Sequence, residues 1–285
     1  MMFKKAVVGL DLSPAEGPMM ECLPDLKRWG IKEIVLVHVI RVGYAQGAGF
    51  GHEDEYAAWL NEKATPLRGA GIRVSVSVRD SGVVAEELLN AATEEGADLV
   101  IVGSRSHNLV HDVFLGSAAK DVLRKASLPV LLERIEPTAD ETAKECEAVC
   151  KKKLTTLLLA TDFSESARRA EETALYLLPL ADKACFLSVL EPSEVKAAAP
   201  KERDAARAGL AALKDRAGQA AGHIELLAEI GEPAEIIARV AEKSSATLII
   251  LGKHGRNWAA DKIMGSTAAK VCEIARRPVL MMPLI

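Results

Sequence analysis

Gly252-Lys253-His254-Gly255, with Gly265-Ser266-Thr267 ten residues on, is the stretch best suited to chemistry in this chain. Glycines let a backbone approach a ligand closely, and a hydroxyl-bearing segment at a helix start presents amides and a positive dipole end to an anion. The expected chemistry is therefore anion binding. Lys253, His254 and Arg256 lie in or beside the loop and could meet phosphates, although loop charges are usually solvated. A bland loop with a helix cap would need one glycine and one hydroxyl; three glycines and a hydroxyl at fixed spacing ask for more.

The elements around this stretch must aim it. Thr247-Leu248-Ile249-Ile250-Leu251 is a short apolar run closed by glycine, which reads as a strand buried on both faces. The segment from Ala268 to Ala275 reads as the following helix. Leu157 to Ser164 reads as an apolar strand ending in the polar Thr161-Asp162, with Ser164 as a helix N-cap. Asp162 has an alternative role as a charge near that helix's dipole.

The pattern occurs twice. Ala97 to Gly103, Gly116-Ser117 and Leu128-Pro129-Val130 correspond to Ala246 to Gly252, Gly265-Ser266 and Arg277-Pro278-Val279 at one constant offset of 149 residues. Asp11 and Asp162 are 151 apart. The chain is a tandem duplication, read as residues 1–137, a linker over 138–153, and residues 154–285. In the first copy strands are predicted at Lys5–Leu10, Glu33–Ile40, Arg73–Val78, Leu99–Gly103 and Pro129–Glu133. Helices are predicted at Pro14–Trp29, Glu53–Gly69, Val83–Glu95 and Ser117–Lys125. Ser13-Pro14-Ala15-Glu16 reads as a capping box. Ile236, Ile237, Val240 and Ala241 form a sheet-facing helical stripe. The Lys/Glu/Asp/Ala-rich linker reads as a short helix, with Cys146 and Cys150 on one face.

The spacing G-x2-G-x9-G-S, with the first-strand end Ala160-Thr161-Asp162, resembles the nucleotide-binding branch of the universal stress protein family, and the resemblance covers nearly the whole chain. It implies two tandem copies of a five-stranded parallel-sheet, Rossmann-like fold of the adenine nucleotide alpha hydrolase-like type, with strand order 3-2-1-4-5. It also implies a ligand between the carboxyl ends of strands one and four, where the order reverses. The implied ligand is ATP or AMP, with Mg2+ as an optional companion. The implied contacts are Thr161 and Asp162 on the nucleoside side, Val189 offering backbone hydrogen bonds to adenine, and Gly252, Gly255, Gly265, Ser266 and Thr267 around ribose and phosphates. A second, weaker site would use Asp11, Val39, Gly103, Gly116 and Ser117. There the motif is degraded: Ser106 stands where Gly255 stands in the second copy, and Leu10 replaces Thr161. If that glycine position needs φ > 0, a serine costs about 1–2 kcal/mol.

Composition narrows the alternatives. A net charge of -4 and a pI near 6 argue against an overall nucleic-acid-binding surface. Five irregularly spaced cysteines suggest no disulfide framework, and no apolar run approaches a membrane span, so a cytoplasmic protein without membrane partners is expected. Gly43 to Gly51 reads as a lid or plain loop, and His107 with His111 lacks the remaining features of a zinc site. No metal ligands and no catalytic residues are assigned, since neither a nucleophile elbow nor a Walker lysine motif is present. The expected function is nucleotide binding in stress signalling or protection. Its rivals are a slow ATP hydrolase using Asp162 and Mg2+, and a nucleotide-free protein-interaction module. Val130–Leu132 and Val279–Met281 are apolar edge strands, which suggests an intramolecular pseudo-dimer, with a homodimer of whole chains as a further step. The protein partner stays unknown.

Overall fold

A computed structural model describes residues 2–40, 53–79, 82–104, 115–137, 146–149, 151–191, 199–256 and 264–284. The glycine-rich segment at 43–51, the histidines 107 and 111, and Cys150 lie outside these residues. The chain divides into two compact units, Met1–Lys151 and Lys152–Ile285.

In the first unit the strands are β1 (Lys5–Leu10), β2 (Glu33–Val39), β3 (Arg73–Arg79), β4 (Leu99–Gly103) and β5 (Val130–Glu133). β3 pairs with β2, β2 with β1, β1 with β4 and β4 with β5, all parallel. The order is therefore 3-2-1-4-5. Between them run α1 (Glu16–Cys22), α2 (Glu53–Gly69), α3 (Val84–Glu94) and α4 (Ser117–Lys125). Parallel strands need crossovers, and helices on both faces bury the sheet. This is why β4 and β5 are almost unbroken Val, Ile and Leu. Val7, Val8, Ile101, Leu131, Leu88 and Val122 are at most 3% exposed.

The second unit repeats the plan with β8 (Thr156–Ala160), α5 (Arg168–Leu177), β9 (Lys183–Leu190), α6 (Ala199–Arg216), β10 (Ile224–Ile230), α7 (Pro233–Lys243), β11 (Leu248–Gly252), α8 (Ser266–Ile274) and β12 (Val279–Met282). Its pairings give β10-β9-β8-β11-β12, again parallel throughout. The predicted stripe on α7 is largely the buried face: Pro233, Ala234, Ile237, Val240 and Ala241 are buried and Ile236 is half-buried.

Two local expectations are overturned. The first predicted helix is not continuous: α1 ends at Cys22 and a 3-10 segment, Leu23–Trp29, continues with Pro24 near its start. Proline has no N–H to extend an α-helical ladder. Nor does a capping box form, because the Glu16 carboxylate reaches Lys63 Nζ at 2.7 Å instead of turning back. Ser13 Oγ accepts from Ala15 N at 3.3 Å. The second correction concerns the segment between the copies, whose described residues include a strand and no helix. β6 (Ile135–Pro137) and β7 (Cys146–Ala148) pair antiparallel, with Ile135 opposite Ala148 and Pro137 opposite Cys146. Cys146 thus lies in a strand, where side chains alternate between faces and helical i,i+4 geometry does not apply. Val149 N donating to Arg134 O and a Lys151–Glu21 ion pair tie this segment to the first unit.

Candidate functional site

In each unit the order reverses between the first and fourth strands, leaving their carboxyl ends without a crossover above them. A cleft is expected there, and each unit has one. The second unit's cleft encloses about 1050 Å3, open solvent included, and all eight residues predicted for it line it: Thr161, Asp162, Val189, Gly252, Gly255, Gly265, Ser266 and Thr267.

Thr161 and Asp162 leave the end of β8 at a sharp bend. Phe163 follows with φ of 60°, a left-handed conformation that side chains rarely adopt. Asp162 fastens this bend to the loop after β11. Its Oδ1 accepts from Ser164 N at 3.0 Å and its Oδ2 from Arg256 N at 2.8 Å, while Arg256 Nε donates to the Asp162 carbonyl at 2.8 Å. Ser164 Oγ accepts from Ala167 N at 3.2 Å, the N-cap role expected of it, on the short 3-10 turn that leads into α5. Thr161 is more internal than expected. It is 6% exposed, its hydroxyl donates to the buried Glu171 Oε1 at 2.6 Å, and it accepts from Phe163 N at 3.0 Å.

The glycines of the loop are explained by packing. Neither Gly252, Gly255 nor Gly265 has positive φ, so the strain argument for Ser106 in the first copy does not hold. What the glycines supply is room. A Cβ on Gly255 would sit 3.0 Å from Asp162 Oδ2; one on Gly252 would sit 3.0 Å from Ser166 O; one on Gly265 would sit 3.2 Å from Lys253 O. The loop is thereby drawn against the β8 bend on one side and the start of α8 on the other.

α8 opens on Gly265 (φ -68°, ψ 146°) without any side-chain cap. Gly265 N donates to Lys253 O and Ala269 N to Gly265 O. The first-turn amides of Ser266, Thr267 and Ala268, all residues of the cleft wall, have no intrahelical acceptor and face the side where an anion is favoured.

Sequence reasoning left several wall residues unassigned. Pro233 and Ile237 from α7, with Leu187, give the cleft an apolar side, and Glu191 lies two residues beyond Val189 at the strand end. The periodic stripe on α7 was the available signal for Ile237. Lys253 stands out further. It is 5% exposed, and burial pushes its amine down from 10.5 to about 8. Nothing in its local sequence distinguishes it from a solvated loop lysine.

The first unit's cleft, about 770 Å3, is lined by Asp11, Val39, Gly103 and Gly116 of the predicted set; Ser117 begins α4 but is not part of the wall. Leu10, Val37, Met19, Leu88 and Val122 make it mainly apolar, and Glu16 adds a second carboxylate. Ser104, the counterpart of Lys253, is buried and hydrogen-bonded through Oγ to Ile135 N at 3.2 Å. α4 also starts without a side-chain cap, on Gly116. Among the described residues no group of three or more His, Cys, Asp or Glu side chains could hold a metal, and no helix is long and apolar enough to cross a membrane.

Comparison with known proteins agrees with the duplication. The sequence profile of the universal stress protein family matches residues 2–134 and again 153–283. A universal stress protein of Mycolicibacterium smegmatis is 24% identical over 219 residues, spanning 74% of this chain and 69% of that protein. Universal stress protein YxiE of Bacillus subtilis is 25% identical over 150 residues, covering 47% of this chain and 100% of its own length. The crystal structure of a universal stress protein from Archaeoglobus fulgidus superposes with a TM-score of 0.73 at 24% identity, over 98% of this chain and 96% of that one. Two matched domains, each with the same strand order and a cleft at the same switch point, make this chain a tandem member of the universal stress protein family.

Proposed function

We propose that the second unit binds an adenine nucleotide, ATP or AMP, and that the chain acts as a nucleotide-responsive stress protein of the cytoplasm. The observation that carries this reading is the uncapped start of α8 opening on the same cleft as the Gly252–Gly255 loop and Lys253. Orphan amides and a helix dipole converge there, which is what a phosphate group requires. The apolar wall of Ile237, Pro233 and Leu187, beside the end of β9 at Val189, suits a purine base.

Thr161 serves in this reading chiefly to hold the bend, and Asp162 to close the loop. Mg2+ would be held mainly by the phosphates, with Asp162 and Glu191 the carboxylates of the wall. The role is binding rather than turnover: both Asp162 oxygens already accept backbone N–H groups, which suits an anchor better than a base. The first cleft, with Leu10 for Thr161 and Ser104 for Lys253, is a weaker site for the same ligands. The two compact units correspond to two functional domains, with the copies separated at about residues 138–153.

Titration calorimetry of the whole chain with ATP, AMP and adenosine tests the proposal. One dominant site that is lost in Gly265→Val supports it. Equal loss of binding from a Gly116→Val chain would move the main site to the first unit, and no binding of any of the three would overturn the reading.

A further inference from the structure

The first unit's cleft holds the same place in its fold as the second unit's and has a different chemistry. Apart from Asp11 and Glu16, every described residue of its wall is a glycine or an apolar residue. Leu10, Met19, Val37, Leu88, Val102 and Val122 are each at most 6% exposed. Leu88 lies over the end of β1, where a Cβ on Gly9 would sit 3.1 Å from its Cδ2, so the missing side chain at Gly9 makes room for the leucine. In the second cleft, hydroxyl-bearing residues stand at two equivalent positions of the wall, Thr161 for Leu10 and Thr267 for Ala118.

A second observation comes from the rim. Among the described residues the large hydrophobic side chains left exposed are Leu12 at 45%, Val83 at 49% and Ile230 at 39%. Two of the three adjoin this cleft: Leu12 follows Asp11, and Val83 precedes Val84 at the start of α3. Their counterparts in the second unit are not bare hydrophobes. Glu232 stands for Val83, and Phe163, which stands for Leu12, packs its ring against α6, where a Cβ on Gly209 would come within 2.8 Å of it. The apolar lining of the first cleft thus continues outward onto its rim, as it does where a concave site takes an apolar ligand.

Charge narrows the ligand further. The charged residues of the described wall are both acidic, and Glu16 is paired with Lys63 Nζ at 2.7 Å. The dipole at the start of α4 favours an anion, the carboxylates disfavour one, and no Lys, Arg or His of the described wall tips that balance. An uncharged ligand needs neither sign.

We infer that the first cleft binds an uncharged small molecule with an aliphatic chain, the chain lying along Leu10, Leu88 and Val122 and its outer end passing Leu12 and Val83 at the rim. The inference goes beyond the nucleotide reading of the second unit and does not depend on it; nucleotides are the weak occupants of this cleft. Burying one methylene tightens binding about fourfold, so affinity should rise by about that factor for each carbon added between hexanol and octanol.

The test uses the whole chain with 1-hexanol, 1-heptanol, 1-octanol and octanoate as probes, calorimetry for affinity and the Met19 methyl resonance for location. Expected are one site per chain, the rise with chain length, a shift of the Met19 methyl, and no change when ATP is present at a concentration that fills only the tighter nucleotide site. Leu10→Thr with Ala118→Thr, the residues that the second unit carries, should weaken octanol about tenfold. Val83→Glu, again the second unit's residue and at an exposed position where no core packing is lost, should weaken octanol more than hexanol. Affinity that ignores chain length, or an unmoved Met19 methyl, would overturn the inference. So would tighter binding of octanoate than of octanol, which would make the cleft an anion site. Displacement of octanol by that ATP would make it a nucleotide site, and would overturn the inference while leaving the reading of the second unit intact.

Discussion

Replacing Gly255 by alanine asks why that glycine is there. Its φ is not positive, so an added Cβ brings no left-handed strain and should shrink the unfolded ensemble, a gain of about 0.4–1 kcal/mol at a compatible site. Against that gain stands the 3.0 Å approach of the Cβ to Asp162 Oδ2, the oxygen that accepts Arg256 N at 2.8 Å. The carboxylate has to retreat by a few tenths of an ångström. A hydrogen bond to a charged group is worth about 1.5–3 kcal/mol net, and the lower end applies to this exposed pair. Gly255→Ala should therefore cost about 1 kcal/mol in the native background.

In Asp162→Ala the obstacle and the bond are both absent, and the same substitution should stabilise by about 0.5 kcal/mol, giving a coupling of about 1.5 kcal/mol. Because the chain has two compact units, a single unfolding midpoint is not a reliable measure. Native-state hydrogen exchange of Leu159 and Ile250, core amides of β8 and β11, reads the second unit directly. A cost that stays the same in both backgrounds would refute the reasoning, and would mean that the position is governed by backbone conformation after all.

Thr161→Val leaves the buried Glu171 Oε1 and Phe163 N without their hydroxyl partner, and should lower the second unit's stability by about 1–3 kcal/mol in exchange measurements. Burial holds the Lys253 amine down from 10.5 to about 8, so between those values the unfolded amine keeps its proton and the folded one does not. The native chain should therefore gain stability as pH rises through that window, and Lys253→Met should lose that gain, as chemical denaturation at pH 7 and 10 would show. Cys185, whose thiol burial pushes up to about 12, should stay unmodified by iodoacetamide at pH 8 until the chain unfolds, checked by mapping the alkylated peptides.

Much of the fold is legible in the sequence. Strands buried on both faces are written as Val/Ile/Leu runs, so β1 and β4 begin and end where the residue pattern puts them, and the constant 149-residue offset carries one copy onto the other. The cleft wall was legible for a related reason: the end of a strand and the start of a helix are local events with local signals. What escaped depends on partners distant in sequence. Glu16 fails to cap because Lys63 claims it, and Cys146 lies in a strand that pairs with Ile135–Pro137. The purpose of Gly255 is set by a carboxylate 93 residues earlier, and the burial of Lys253 by the ends of β12 and α8.

The two copies keep and vary different things. After the first strand of each comes a non-glycine residue in the left-handed region, Leu12 at φ 50° and Phe163 at φ 60°. Gly96 (φ 60°) and Ser245 (φ 52°) form a second equivalent pair, before β4 and β11. Each strained non-glycine residue costs about 1–3 kcal/mol and persists only where surrounding structure imposes it. The bend at Leu12 and Phe163 sets Asp11 and Asp162 on the cleft walls, and both helices behind the loops begin uncapped on glycine. The cleft-facing side chains differ instead: Leu10 for Thr161, Glu16 for Ala167, Ser104 for Lys253. The scaffold therefore supplies two dipole-lined clefts, and side chains decide their charge. Glu16 joins Asp11 in the wall of the first cleft, its carboxylate paired with Lys63, and Lys253 stands in the wall of the second.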